Sequence, residues 1–338
     1  MSKGKQWLFV FLCGCFLLCA CSQQPYTAST GAPAKATGST AEGSFKDTAL
    51  QGAVAQALGK EPGSVTAEDA KRITSFFMHD VLVCYLGIDG NAAAIEVALP
   101  SPIAVYDDFQ YFTHLQTISI TGQEITDISF LSPLTQLCFV TLAHNAITDI
   151  TPLFQLTALQ ALDLSDNRIT DVSALTALES LQVLTLSDKR IAELTPIKGL
   201  TALQELYFSG NEVQDISPLE NMTQLRALRA SRNKITDLSP LPALLQLRVL
   251  ELSANEITSV AALRYITTLE TLELADNQIT DVTPIAALTQ LNDADLSRNK
   301  IQDLSAFSAL PNILLGLSDN PVLDWTPVQH ITQVGGRP

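Results

Sequence analysis

The 338-residue chain is poor in the groups that chemistry needs. Its four histidines, His79, His114, His144 and His330, are scattered, so none has the clustered His/Cys spacing of a zinc site. No glycine-rich loop is placed to cradle a phosphate, and no serine or thiol has a matched base at a recognisable spacing. No enzyme activity, cofactor or metal is therefore expected. Positive charge is also scarce. Twenty Lys and Arg against 35 Asp and Glu give a formal charge of −15, which disfavours nucleic acid and adsorption to anionic lipid. No apolar run reaches the roughly 20 residues of a membrane-crossing helix. Of six cysteines, only Cys84 and Cys138 lie beyond residue 21. At most one disulfide can form between them, and two free thiols are the default expectation.

What is present begins with a period. A leucine returns at every twenty-second position: Leu115, Leu137, Leu159, Leu181, Leu203, Leu225, Leu247, Leu269 and Leu291. A fixed period in the twenties marks a stacked solenoid in which no unit buries its apolar face alone. In the unit LQALDLSDNRITDVSALTALES, which starts at Leu159, apolar residues fall at positions 1, 4, 6, 11, 14, 17 and 20. Alternation at the start predicts a short strand with one buried face. The later spacing of three predicts 3₁₀-like turns rather than a full helix.

Position 9 is asparagine in most units: Asn145, Asn167, Asn211, Asn233, Asn255, Asn277, Asn299 and Asn320. An amide there can donate to and accept from backbone groups of its own coil and the next, so a structural ladder is expected rather than a ligand site. Gln123 holds the place in the first coil and Lys189 in the fourth. A lysine cannot accept a hydrogen bond, and Ala192 and Glu193 also break the local Thr-Asp pattern. The fourth coil is therefore predicted to be irregular. Position 13 is acidic at Asp127, Asp149, Asp171, Glu193, Asp215, Asp237, Asp281, Asp303 and Asp324. Capping of turn amides explains this column. A row of calcium sites needs six to eight converging oxygens, which one carboxylate per coil does not supply.

The ungapped pattern LxxLxLxxNxIxDIxPLxxLxx resembles the internalin-type bacterial leucine-rich repeat proteins, over residues 115–333. One residue is lost near Pro311 and Asn312 before the atypical last coil. The stretch before the repeats is similar to the helical cap of that family: Phe45-Lys46-Asp47, Val54, Ala57-Leu58-Gly59-Lys60, Val65-Thr66-Ala67-Glu68-Asp69 and Ile73. The fold expected is an α/β horseshoe solenoid, with a parallel sheet on the concave face, 3₁₀ turns on the convex side and a helical N-terminal cap. A helix over Thr48–Leu58 and a second starting at Thr66 are expected. Residues 81–86 and 95–99 around Asp89-Gly90-Asn91 read as a hairpin, and 103–112 as a degenerate leading coil. Trp325, Val328 and Ile331 are expected to cover the final leucines.

At the N-terminus, Lys3 and Lys5 precede an apolar run over 7–18 and then Leu18-Cys19-Ala20-Cys21. This resembles a bacterial lipoprotein signal, which implies Cys21 as the lipidated first residue of a mature, membrane-anchored envelope protein facing outside the cytoplasm. Residues 22–43, rich in Ala, Thr, Ser, Gly and Pro, read as a flexible tether. The divisions expected are 1–20 signal, 21–44 tether, 45–80 helical cap, 81–114 hairpin and leading coil, 115–333 about ten coils, and 334–338 tail.

Positions 3, 5, 7 and 8 are expected to project from each strand, away from the leucine core. The residues singled out there for ligand binding are Phe139, Asp163, Tyr207, Arg229, Arg232, Glu251, Glu273 and Asp295. Tyr and Arg are enriched at binding hot spots, and the acidic stripe Glu251, Glu273, Asp295 favours a basic partner. The function expected is a surface-tethered, monomeric protein-binding module, in adhesion or in host or envelope interaction. An architectural lipoprotein that spaces or docks neighbours in the envelope is the other reading.

Overall fold

The computed structural model describes residues 45–80, 82–91, 94–188 and 190–337. The signal, the tether, Cys21 and Lys189 lie outside the described residues. Helix α1 (Thr48–Leu58) spans the expected residues. The Asp47 carboxylate caps it by accepting from the Leu50 amide at 2.8 Å, and Gly59 ends it at φ 66°. Its small apolar face (Ala49, Leu50, Ala53, Val54, Ala57) is buried on the end of the solenoid. There it covers core and sheet that would otherwise be open to water.

The second helix is shorter than the sequence suggests. Helix α2 (Ala67–Ala70) closes a capping box between Thr66 and Asp69 and then stops. Residues 73–80, expected within the helical cap, instead form strand β1 (Ile73–Asp80). Its ITSFFM sequence is β-branched and aromatic, which suits a half-buried pleated surface better than a helix. Strands β2 (Val83–Ile88) and β3 (Ile95–Ala98) make the expected hairpin, in the register Val83 to Ala98. Strand β2 also pairs antiparallel with β1, and β1 pairs in parallel with β4 (Thr117–Ile120), the first repeat strand. The leading coil is thus split. Strand β1 supplies its strand, and a 3₁₀ segment (Tyr106–Tyr111) supplies its turn, burying Phe109 and Phe112.

Two aspartates lock these parts together. The Asp108 carboxylate accepts from the Lys46 and Asp47 amides at 2.7 and 2.6 Å. The Asp47 carboxylate accepts in return from the Ala104 and Val105 amides at 2.7 and 3.0 Å. Both side chains are buried.

From β4 the chain coils regularly. Strands β5 (Phe139–Thr141), β6 (Ala161–Asp163), β7 (Val183–Thr185), β8 (Glu205–Tyr207), β9 (Ala227–Arg229), β10 (Val249–Glu251), β11 (Thr271–Glu273), β12 (Asp293–Asp295), β13 (Leu314–Gly316) and β14 (Gln333–Gly335) follow. With β1 to β4 they form one 14-stranded sheet, parallel from β1 onward through β4 to β14. Register advances by one full period per strand up to β12, as from Thr271 to Asp293. The next step, Asp293 to Leu314, is one position short, where the missing residue was expected. The chain from residue 334 is not a separate tail, because β14 pairs with β13. The middle residue of each strand from β5 to β13 faces the core and is at most 1% exposed, and 3₁₀ turns return the chain on the opposite side. Val328 and Ile331 close the far end, fully buried.

Candidate binding face

The turn after each strand sets where side chains point. The residue at position 8 is left-handed in every coil: His144, Asp166, Asp188, Arg232, Ala254, Asp276, Arg298 and Asp319 have φ between 49 and 58°, and Gly122 and Gly210 have φ 68 and 71°. This reversal swings the following asparagine inward. Asn233 is typical: Oδ1 accepts from the Val213 amide at 3.1 Å, and Nδ2 donates to the Phe208 and Ala230 carbonyls, both at 3.0 Å. The same bonds recur at Asn145, Asn167, Asn211, Asn255, Asn277, Asn299 and Asn320. These amides are fully engaged with backbone. The position-13 aspartates cap the 3₁₀ turns, as Asp171 does by accepting from the Ser173 amide at 2.8 Å and from its hydroxyl at 2.5 Å. No group of three metal-ligating side chains occurs among the described residues.

What remains free for recognition is the strand face opposite the core. Positions 3 and 5 of neighbouring strands stand about 5 Å apart, so residues on adjacent coils form columns. The position-5 column runs Ser119, Thr141, Asp163, Thr185, Tyr207, Arg229, Glu251, Glu273, Asp295, Gly316. At its centre the Arg229 guanidinium lies over the Tyr207 ring, 5.0 Å from the centroid, and its Nε is 2.8 Å from Glu251 Oε1. The Tyr207 hydroxyl donates to Glu205. Burial raises the Tyr207 phenol, and the hydrogen bond to Glu205 adds to it.

Toward the C-terminal end the column turns acidic. Glu273 is raised above the usual carboxylate range by burial, then by Glu251, Asp293 and Asp295. Glu251 is raised by burial, against the pull of Arg229. Asp295 turns back on itself, accepting from the Ser297 amide at 2.9 Å. A Cβ at Gly316 would stand 2.5 Å from Asp295 Oδ1, so only glycine leaves that carboxylate room.

Five of the residues singled out from sequence therefore share one continuous column: Tyr207, Arg229, Glu251, Glu273 and Asp295. Asp163 lies in the same column two strands earlier and accepts from the Ser165 amide and hydroxyl. Two do not join them. Phe139, between Thr117 and Ala161 on the adjoining strands, is only 6% exposed, so its ring is taken up in packing. Arg232 is not on the strand face; it stands in the left-handed turn beyond β9 and pairs with Asp188 at 2.9 Å.

The register also adds residues that the sequence reading left out. Phe77 of β1 is opposite Ser119, Tyr85 of β2 is opposite Phe77, and Glu96 of β3 is opposite Tyr85. Phe76 and Met78 point into the core, so Phe77 continues the position-5 column into the cap. Glu96 raises the Tyr85 phenol by its charge. The signal was the β-branched and aromatic run over 73–78. Cys84 and Cys138 are free thiols, and burial pushes the Cys84 thiol up to about 12.

Family models for leucine-rich repeats match the chain, one of two copies over residues 135–177 and 179–221 and a single repeat over 265–282. No curated protein sequence matches significantly. Among solved structures, an internalin, InlF, from Listeria monocytogenes is 29% identical, with a TM-score of 0.59 over 87% of this chain and 96% of that one. Internalin C2 from the same organism is 32% identical, with a TM-score of 0.57 over 70% of this chain and 94% of its own. The functional domain of InlJ, also from Listeria monocytogenes and described as including a cysteine ladder, is 22% identical over 86% of this chain and 60% of that one; its TM-score of 0.56 shows a shared fold. With 32% identity to internalin C2 over 70% of its length, the chain belongs to the internalin-type bacterial leucine-rich repeat proteins.

Proposed function

We propose that this chain is a non-enzymatic recognition protein of the bacterial surface. In this reading it binds a protein partner on the concave face and is held to the membrane through lipid on Cys21. The observation that carries this reading is the contiguous group Tyr207, Arg229, Glu251 and Glu273 on four adjacent strands. An aromatic ring, a stacked guanidinium and half-buried carboxylates are the residue types that dominate binding energy when a partner excludes water from them. The acidic half, Glu251 to Asp295, suits a partner that brings lysine or arginine. The leucine-rich repeat ectodomain of a plant membrane receptor kinase and a plant peptide hormone receptor, which share the fold, were solved in complex with CASPARIAN STRIP INTEGRITY FACTOR 2 and RGF2. Repeat fold alone does not name a target, so the partner is defined here only by its charge.

The test is cross-linking capture with the full chain, from envelope extract and from candidate host surfaces. It is run beside a variant carrying Ser at 207, 229, 251 and 273. A partner held by the parent and lost by the variant supports the reading. Equal capture by both moves recognition off this face and favours the spacer role in the envelope. The anchor is tested separately: Cys21→Ala should shift the protein out of the detergent phase, and unchanged partitioning rules out lipid at Cys21.

A further inference from the structure

The asparagine ladder has one break, and the break leaves a donor behind. In eight coils the amide at position 11 donates to the asparagine Oδ1 of the next coil, from Ile125 to Asn145 at 3.1 Å through Ile301 to Asn320 at 3.0 Å. Ile169 is the exception, because position 9 of the following coil is Lys189. An ammonium offers no acceptor. Among the described residues the Ile169 N–H has no hydrogen-bond acceptor, although Ile169 is fully buried.

Two cations stand beside that donor. Arg168 and Arg190 occupy position 10 of adjacent coils, and among the described residues neither side chain makes an ion pair or hydrogen bond. Elsewhere along this edge cations are matched: Lys234 to Glu212 at 3.0 Å, Lys300 to Gln278 at 3.2 Å and Arg298 to Asp276. The acids near the two arginines are already taken. Asp166 pairs with His144 at 2.9 Å, Asp188 with Arg232 at 2.9 Å, and Glu212 holds Lys234. Arg168 and Arg190, with Asn167, Ile169, Thr170 and Asp188, line an open recess of about 460 Å³.

Two arginines that are unpaired among the described residues, next to an N–H with no acceptor among them, suit an anion with several oxygens. We propose that this recess is an oxyanion site for a phosphate or sulfate group, free or esterified to a larger molecule. One oxygen takes the place of the missing amide oxygen and accepts from the Ile169 N–H. The others accept from the guanidinium forks, whose planar geometry matches such groups. A carboxylate offers two oxygens where a tetrahedral oxyanion offers three or four, so it matches this set of donors less well. The site lies on the turn edge of the third and fourth coils. It does not depend on what the Tyr207 face binds.

The test follows the Ile169 amide by NMR in the full ¹⁵N-labelled chain, titrated with sodium phosphate and with sodium sulfate at constant ionic strength held with chloride. The expected result is a saturable shift of that amide with either oxyanion. In Arg168→Gln/Arg190→Gln, a change confined to exposed side chains, the affinity should fall at least tenfold. Glycerol phosphate and glucose 6-sulfate, run alongside, identify by the tighter member whether a free or an esterified group is the better ligand. An Ile169 amide that does not respond, or that responds equally in parent and double variant, overturns the proposal.

Discussion

Arg232 reaches over a whole coil to Asp188, 44 residues earlier, and Gly210 between them leaves the path open. A Cβ at Gly210 would stand 2.3 Å from Asp188 Oδ1. Gly210 also holds φ 71°, where an L side chain is strained. Gly210→Ala should therefore destabilise the fold by about 1–2 kcal/mol, mainly through backbone strain. Losing the exposed ion pair adds under about 1 kcal/mol. Urea unfolding of the variant beside Arg232→Ala separates the two, since the arginine variant should lose only the smaller part.

Asn233→Ala removes one oxygen and one amino group from buried backbone partners. It should cost about 1–3 kcal/mol, read as a lower urea midpoint at unchanged m-value.

Lys189→Asn should do the reverse. It restores an acceptor for the Ile169 N–H and should gain about 1 kcal/mol. A loss of stability in that variant would show that the ladder is not limited there by a missing acceptor.

Asp108→Ala opens the cap. The Lys46 and Asp47 amides lose their acceptor in a site closed to water. The expected cost is about 2–3 kcal/mol. Amide exchange should quicken in α1 and around Ala104 and Val105 before it quickens in the central coils.

Acid and base should act on opposite parts of the solenoid. Glu273 titrates above its ordinary range, so its contribution is greatest below the unfolded value and is lost as pH rises through the raised one. Glu273→Gln should accordingly raise stability near pH 7 and leave it nearly unchanged near pH 4. The capping carboxylates Asp149, Asp171, Asp237, Asp281 and Asp324 are lowered by hydrogen bonds from the Ser or Thr two residues on. Their contribution is present above the usual carboxylate value and is lost as pH falls through the lowered ones. Urea midpoints measured from pH 2 to 8 in parent and Glu273→Gln should show the acid loss in both and the neutral-pH difference in one.

Most of the solenoid was legible because its causes are local and repeat. The alternation of Leu162 and Leu164 around Asp163 specifies a strand, and the threefold spacing of Val172, Leu175 and Leu178 specifies the turn. Lys189 marked the fourth coil as irregular, but only the structure shows that the Ile169 amide has no acceptor among the described residues. The cap was harder to read. Strand β1 gains its ladder from Thr117–Ile120, far along the chain, and no window around Phe76 contains that partner. For the same reason nothing local to Phe77 or Tyr85 marks them as part of the strand face. Phe139 failed as a display residue because exposure depends on what the two flanking coils leave uncovered. Arg232 failed because one left-handed residue moves a side chain from strand to edge.

The bonds that join coils span fixed counts of residues. They run 20 from the Val213 amide to Asn233 Oδ1 and 25 from Asn233 Nδ2 to the Phe208 carbonyl, with one shortfall of a residue at Asn320. Length in this protein is therefore quantised. A cut or duplication of one full period brings equivalent donors and acceptors face to face again, and the single 21-residue coil keeps its ladder bonds by losing its residue in the turn at Pro311 and Asn312. The chain can lengthen or shorten its reach in steps of one strand spacing, each step adding or removing one residue of the position-5 column while the cap at one end is untouched.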